Sequence, residues 1–439
     1  MLVVVLLPCS NASAQETDAT AERKVDGLGS GKIRFHPALT LLGGYDTNVF
    51  YEDTNEGPDG AAVIGVRPEL GIETYKPTNV DFRLKGGIFF QYFVSDDPLV
   101  SEQSGLDADA TAGITFNPNG AVAFRLSDTF IRTNESPSGS TLLSFNRIYN
   151  NAGATLLIQP GGKILTGEVG GRAAITRNQQ LVELDKNEFG VRAGVKWKFL
   201  PKTALLFEGT WDFIFYDVAE RSIPGLEEGD EPQFLSPFQG AFRNVDSRPL
   251  RLRAGLKGLL LNRFGVTLLA GYGQGFYRDG DDFKGFIGTA EIAYEIGPTS
   301  RFQLGYDRAF RDNTFSNYAK DHHVYTRYNH QFGGRFDLKL EGGFIYREFS
   351  KIPAVFLPDV TVDGVRGAQA FSTTERVDPL VTGNVDGTFF ITEIFTVGLN
   401  YNLAVNTSDF VQITGQGATG SATAQFIKHR VFLTTGVRW

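Results

Sequence analysis

The residues best placed to do chemistry in this sequence are charged side chains at alternate positions. Arg192, Lys196 and Lys198 alternate with Val191, Val195 and Trp197, and Arg251, Arg253 and Lys257 are spaced the same way further along. Arg172 belongs to the same class, as do Arg83 and Lys85. In an extended chain residues two apart point to one side, so each run presents a basic edge. Between the second and third of these regions, Leu205, Phe207, Gly209, Trp211, Phe213 and Phe215 alternate with Glu208 and Asp212. Pairing the three segments as adjacent antiparallel strands would make opposite charges cross-strand neighbours. Two readings stay open. The pairs satisfy charge on a wetted wall, or they form a charged constriction that biases what passes through a pore.

Aromatic side chains on the same edges, Tyr75, Phe89, Tyr216, Tyr277, Tyr325 and Phe432, either stack on sugar rings or fill space. The segment 218–245 carries Glu220, Glu227, Glu228, Asp230 and Glu231 with Pro224, Pro232 and Pro237. A long, acidic, proline-stiffened connection of this kind folds into the mouth as a gate, binds divalent cations beside lipopolysaccharide, or is a solvated surface loop. His322 and His323 alternate and His330 falls on the face of Val324, Thr326 and Tyr328, so three histidines do not converge as metal ligands. Alternation brings no nucleophile, base and orienting group to one rim, and neither an enzyme nor a cofactor is expected. A formal charge of -8 and a pI near 5.3 disfavour nucleic acid as a partner.

The elements that would hold such edges are strands. From Ile33 onward, segments of 12 to 16 residues alternate apolar and polar positions and end in turns or polar loops. In Val80 to Tyr92 one face reads Val80, Phe82, Leu84, Gly86, Ile88, Phe90 and Tyr92, while the other carries Asp81, Arg83, Lys85 and Gln91. One face suits lipid and the other water. Such strands exceed the five or six residues usual in soluble sandwiches and match a tilted membrane crossing. No apolar run approaches the roughly 20 residues of a membrane helix, so any span is a closed barrel. Eight short turns, at 76–79, 117–120, 160–163, 200–203, 261–264, 297–300, 333–335 and 392–395, alternate with nine longer connections. Together they predict an all-β transmembrane barrel of 18 antiparallel strands over 32–439, with short periplasmic turns and long extracellular loops. Asp128 and Arg308 break the pattern by falling on apolar faces. Headgroup depth, a bulge and a protein contact each explain such a charge.

Ahead of the barrel, the apolar stretch from Leu2 and the Ala12-Ser13-Ala14 site predict a signal peptide over 1–14, shortened at its start, followed by a flexible periplasmic segment over 15–31. Cleavage would remove Cys9, the one cysteine, and with it thiol and disulfide chemistry. The final strand ends at Trp439, with Leu433 and Val437 on its face, and resembles the terminal signal read by the barrel-assembly machinery. The first strand ends Gly43-Gly44-Tyr45-Asp46-Thr47-Asn48-Val49-Phe50. This motif resembles the opening strand of a β-barrel porin family that often accompanies bacterial exopolysaccharide gene clusters. The resemblance implies an outer-membrane conduit for a secreted polysaccharide, working with periplasmic export components. A general or sugar-selective diffusion porin and a non-conducting scaffold or adhesin are the other uses of the same barrel.

Overall fold

In a computed structural model of the chain, the residues described are 27–29, 31–134, 146–179, 184–217, 245–313, 316–352, 356–362, 365–369, 375–414 and 420–439. The expected signal peptide and most of the segment after it lie outside them. Eighteen strands form one antiparallel sheet. They are β1 (Ile33–Asp46), β2 (Ala61–Thr74), β3 (Val80–Val94), β4 (Gly105–Phe116), β5 (Val122–Thr133), β6 (Arg147–Ile158), β7 (Leu165–Asn178), β8 (Lys186–Leu200), β9 (Thr203–Tyr216), β10 (Ser247–Leu261), β11 (Phe264–Tyr277), β12 (Phe283–Gly297), β13 (Ser300–Asp312), β14 (Tyr318–Phe332) and β15 (Phe336–Phe349), then, beyond a short loop hairpin of β16 (Phe356–Val362) and β17 (Val365–Gln369), β18 (Val377–Phe390) and β19 (Phe395–Asn406), and, beyond a second of β20 (Val411–Thr414) and β21 (Gly420–Thr423), β22 (Phe426–Arg438).

The sheet closes on itself because β1 pairs with both β2 and β22, in register from Ala38↔Arg438 to Asp46↔Arg430. Closure leaves no edge strand, the condition for carrying a sheet through hydrocarbon. All eight expected turns join the strand pairs expected of them. The two loop hairpins, within 350–375 and 409–423, are additions that the sequence pattern did not indicate.

Alternation then divides the side chains. Phe189, Val191, Val195 and Trp197 of β8, and Phe207, Trp211 and Phe215 of β9, are exposed on the outside. Their neighbours Glu188 and Asp212 are buried on the inside. An apolar belt around a polar interior places the barrel in the outer membrane of a Gram-negative bacterium, its short turns toward the periplasm and its long loops outside.

Of the two pattern-breaking charges, Arg308 sits where β13 parts from β12. Their pairing ends at Gly288↔Arg308, although β12 continues to Phe283. Asp128 has no such bend. It shares the outward face of β5 with Val122, Phe124 and Leu126, and Asn150 of β6 donates Nδ2 to both carboxylate oxygens at 3.0 and 2.9 Å. Ala112 and Ala152 are its paired neighbours. A carboxylate in the lipid belt costs less than a basic side chain but still opposes insertion. Asp128→Leu is therefore expected to raise the unfolding free energy in phospholipid vesicles by roughly 1–2 kcal/mol. A urea titration reads this directly, and a loss of stability would show that the Asp128–Asn150 pair is needed.

Candidate pore lumen

Arg83, Lys85, Arg172, Arg192, Lys196, Lys198, Glu208, Asp212, Arg251, Arg253 and Lys257 all stand on inward faces. On β7 to β10 they form one network. Arg172 donates Nε and Nη2 to Asp212 Oδ1 at 3.0 and 2.9 Å and Nη2 to Glu188 Oε2 at 3.2 Å. Lys186 pairs with Glu188 at 2.8 Å, and Arg251 Nη1 reaches the other Asp212 oxygen at 3.3 Å. Arg253 pairs with Glu208 at 2.5 Å. Asp212 is 3% exposed, so its two guanidinium partners are what make the buried charge tolerable. Arg192 donates to the hydroxyl of Thr155 at 2.8 Å. Lys196, Lys198 and Lys257 lie lower, toward the periplasmic turns, and are exposed to the lumen. Arg83 pairs with Asp81 at 3.2 Å, and both it and Lys85 line a cavity of about 770 Å³ in the opposite half of the wall. That cavity is also lined by Thr40, Thr111, Ser127, Thr388, Asn400 and Thr434.

Beyond Arg308 the end of β13 bends into the lumen, a feature that strict alternation missed. Phe310 falls on the lipid-facing parity of β13, yet it is 1% exposed and stacks on the inward Phe283 of β12, centroids 4.0 Å apart. It lies over Gly273 of β11, where a Cβ would come within 2.5 Å of its ring. Arg251 caps it from below, guanidinium 4.5 Å above the ring and Nη2 donating to the Phe310 carbonyl at 3.2 Å. Asp312 accepts from Ser247 Oγ and Tyr277 Oη, each at 2.7 Å. Asn317 donates to the carbonyls of Asp279 and Asp281. Thus the β13–β14 end is fastened across the inner wall of β10 to β12 and narrows the extracellular mouth.

A second segment enters the mouth directly after β1, and it explains the Gly-Gly-Tyr-Asp-Thr-Asn-Val-Phe motif. Gly44 lies under Phe432 of β22, where a Cβ would come within 2.4 Å of the ring. Asp46 pairs with the buried Lys428 of β22 at 3.0 Å. Lys428 also donates to the Val49 carbonyl at 3.2 Å and stands 4.0 Å over the Tyr51 ring. Asn48 fixes the turn by exchanging hydrogen bonds with the Glu52 backbone, both 2.8 Å. Tyr51 then packs among Ile345, Leu380 and Phe426, and Val49 against Ala61 and Val100. Asp53 ties the segment to the last loop, accepting from Thr423 and Gln425.

The structure also decides what the inward aromatics do. Phe89, Tyr325 and Phe432 are 4%, 8% and 6% exposed, lying against Gly65, Gly305 and Gly44 on neighbouring strands, so they fill the wall and offer no face to a sugar. Tyr277 and Tyr318 pack against each other with tilted rings, and Tyr75 sits under Arg34 at the periplasmic rim. His322 bonds Tyr306 on the outer face while His323 packs at a tilt against Tyr325 inside. The acidic gate candidates Glu227, Glu228, Asp230 and Glu231 lie outside the described residues.

No family model matches the sequence, and no curated protein matches it significantly. Solved structures show a distant similarity to it. A ferric enterobactin receptor mutant from Pseudomonas aeruginosa, solved with enterobactin, is 10% identical at a TM-score of 0.48, covering 94% of this chain and 82% of that one. The siderophore receptor PirA from Acinetobacter baumannii is 7% identical at 0.45, covering 92% and 80%. The outer membrane protein opdK from Pseudomonas aeruginosa is 11% identical at 0.46, covering 92% and 99%. What this barrel does has to be read from its own walls.

Two outcomes test the mouth. Phe310→Ala removes a fully buried ring, a loss of about 3–5 kcal/mol, and should speed amide exchange across 310–313 by about a hundredfold or more. Unchanged exchange would mean that the polar ties alone hold the bend. For the other segment, burial alone would raise the Asp53 carboxyl, but donors on Thr423, Asn55 and Gln425 outweigh it and hold the group below its ordinary 3.8. A carboxyl depressed in the fold stabilises it above the ordinary value, and that stabilisation is lost as pH falls through the lowered one. Protection of the Asn55 and Thr423 amides, corrected for intrinsic exchange, should therefore hold from neutrality to about pH 5 and fall below about pH 4. Asp53→Ala should remove that protection at every pH.

Proposed function

We propose that the chain is a pore passing hydrophilic solutes across the outer membrane, restricted at its extracellular mouth. The observation that carries this is the wall itself. Charged and hydroxyl-bearing side chains face inward from strands all around the barrel, with a cavity of about 770 Å³ between them, and such a surface is stable only when wetted. The inward residues 46–53, 310–313 and 316–318 set the restriction. In this reading the charged pairs of β7 to β10 are a filter lining the path. No reaction is assigned to the protein.

A second reading, a conduit for a secreted polysaccharide, is favoured by the opening-strand motif and by the Thr40, Thr388, Asn400 and Thr434 wall, whose hydroxyls and amide suit a polyhydroxylated chain. Periplasmic export components would be its partners. Under either reading we assign Trp439 to recognition by the barrel-assembly machinery, and the outer leaflet contacts to lipid and lipopolysaccharide. Segment 218–244 remains the gate candidate.

Purified barrel in planar bilayers tests the pore. Steady conductance from the wild type supports the diffusion porin. Conductance that appears only after deletion of residues 222–240, with loss of secreted polymer on gene deletion, moves the reading to a gated export conduit. Silence from both proteins would leave a scaffold.

A further inference from the structure

The ion pairing of the β7 to β10 network ends abruptly toward the periplasm. Upper inward positions of β9 are Asp212 and Glu208, and each neutralises an arginine of β10. The next inward positions are Leu206 and Ala204, which cannot. Beside them stand Lys196 and Lys198 on β8 and Lys257 on β10; Lys196 is in register with Leu206, and Lys257 with Ala204. Lys196 and Lys198 are neighbours on the inward face of β8, and Lys257 faces them from β10 across the single strand β9. Among the described residues none of the three has an ion pair, and all are exposed to the lumen. Arg192, two turns of the pleat above Lys196, is held by a neutral hydroxyl. Glu168 of β7 leans over Gly194 and is the one inward carboxylate beside the group that Arg253 does not already share.

Cations crowded on one wall without counter-charges lower their energy by collecting anions, and low-dielectric walls concentrate the field. Three flexible ammonium groups around a small apolar floor of Ala204 and Leu206 suit a compact oxyanion of more than one charge, which each can approach as a point charge. We propose that Lys196, Lys198 and Lys257 form an anion-binding patch in the periplasmic half of the lumen, taking multiply charged oxyanions of the phosphate, pyrophosphate or sulfate kind, free or carried on a larger solute. The proposal deepens the pore reading and rests on it for its role, but binding itself requires only that the lumen be wet.

The test separates the two. Pyrophosphate is titrated calorimetrically into detergent-solubilised wild type and into K196Q/K198Q/K257Q, at fixed ionic strength, with heat-modifiable gel mobility as the check that both are folded. Glutamine keeps much of the stem and removes the charge. Binding should weaken by about tenfold or more in the triple variant and by less in each single one, with affinity falling as salt rises. K284Q, an exposed lysine paired with Asp282 near the extracellular rim, should change nothing. Equal affinity in wild type and the triple variant, or no binding to the wild type, overturns the patch. In bilayers under a potassium chloride gradient, the wild type should prefer chloride and the triple variant should lose that preference. A conducting wild type that prefers potassium also overturns it, whereas a barrel that is silent both as wild type and after deletion of residues 222–240, yet binds pyrophosphate through these lysines, sinks the pore reading and leaves the patch standing.

Discussion

Pairing every backbone amide and carbonyl is the constraint from which the rest of this structure follows. Hydrocarbon offers no partners, so the sheet must meet itself, and β1 must find β22. Once the ring is closed, alternation has only one consistent assignment: one set of side chains faces lipid and the other faces the enclosed water. A register slip of one residue anywhere would exchange Trp211 with Asp212 and carry the error around the ring. The same closure gives the interior its character. Polar groups can line it because water fills it, and buried charges such as Asp212 survive because two arginines reach them from strands on either side.

How much of this the sequence makes visible follows from the same constraint. Strand count, turn positions and the inward set from Arg83 to Lys257 are legible because they depend on a local period of two and on turn residues. The ends of the strands are not, because there the pairing rule relaxes. Phe310 has the parity of a lipid-facing residue and lies inside, since β13 has already left β12 at Arg308. Its only trace in the sequence is indirect: Arg308 on an apolar face, and the glycines at 273 and 275 that make room for a ring. Asp46, Lys428 and Tyr51 meet across nearly the whole chain, and no local pattern announces that. The inward aromatics were legible in position but not in use, because whether a ring is free or seated on a glycine depends on the neighbouring strand.

The lumen is thus uneven around and along its axis. One half carries hydroxyls, amides and mixed charges around the cavity; the other carries a charge ladder that is ion-paired above and unpaired below. β9 sets that change with two residues, Leu206 and Ala204 in place of further acids. The mouth is treated differently again, closed in part by packing: Phe310 on one sector and Tyr51 on another, each seated by a cation over its ring.

The seam between the first and last strands also imposes an order in time. Lys428 belongs to β22, while Asp46, Val49 and Tyr51 belong to the first strand and the loop after it. Contacts of such sequence separation form slowly, because the intervening loop must close before they return any stabilisation. The segment after β1 therefore stays unseated until β1 and β22 have paired. Seating that segment reports that the ring is complete.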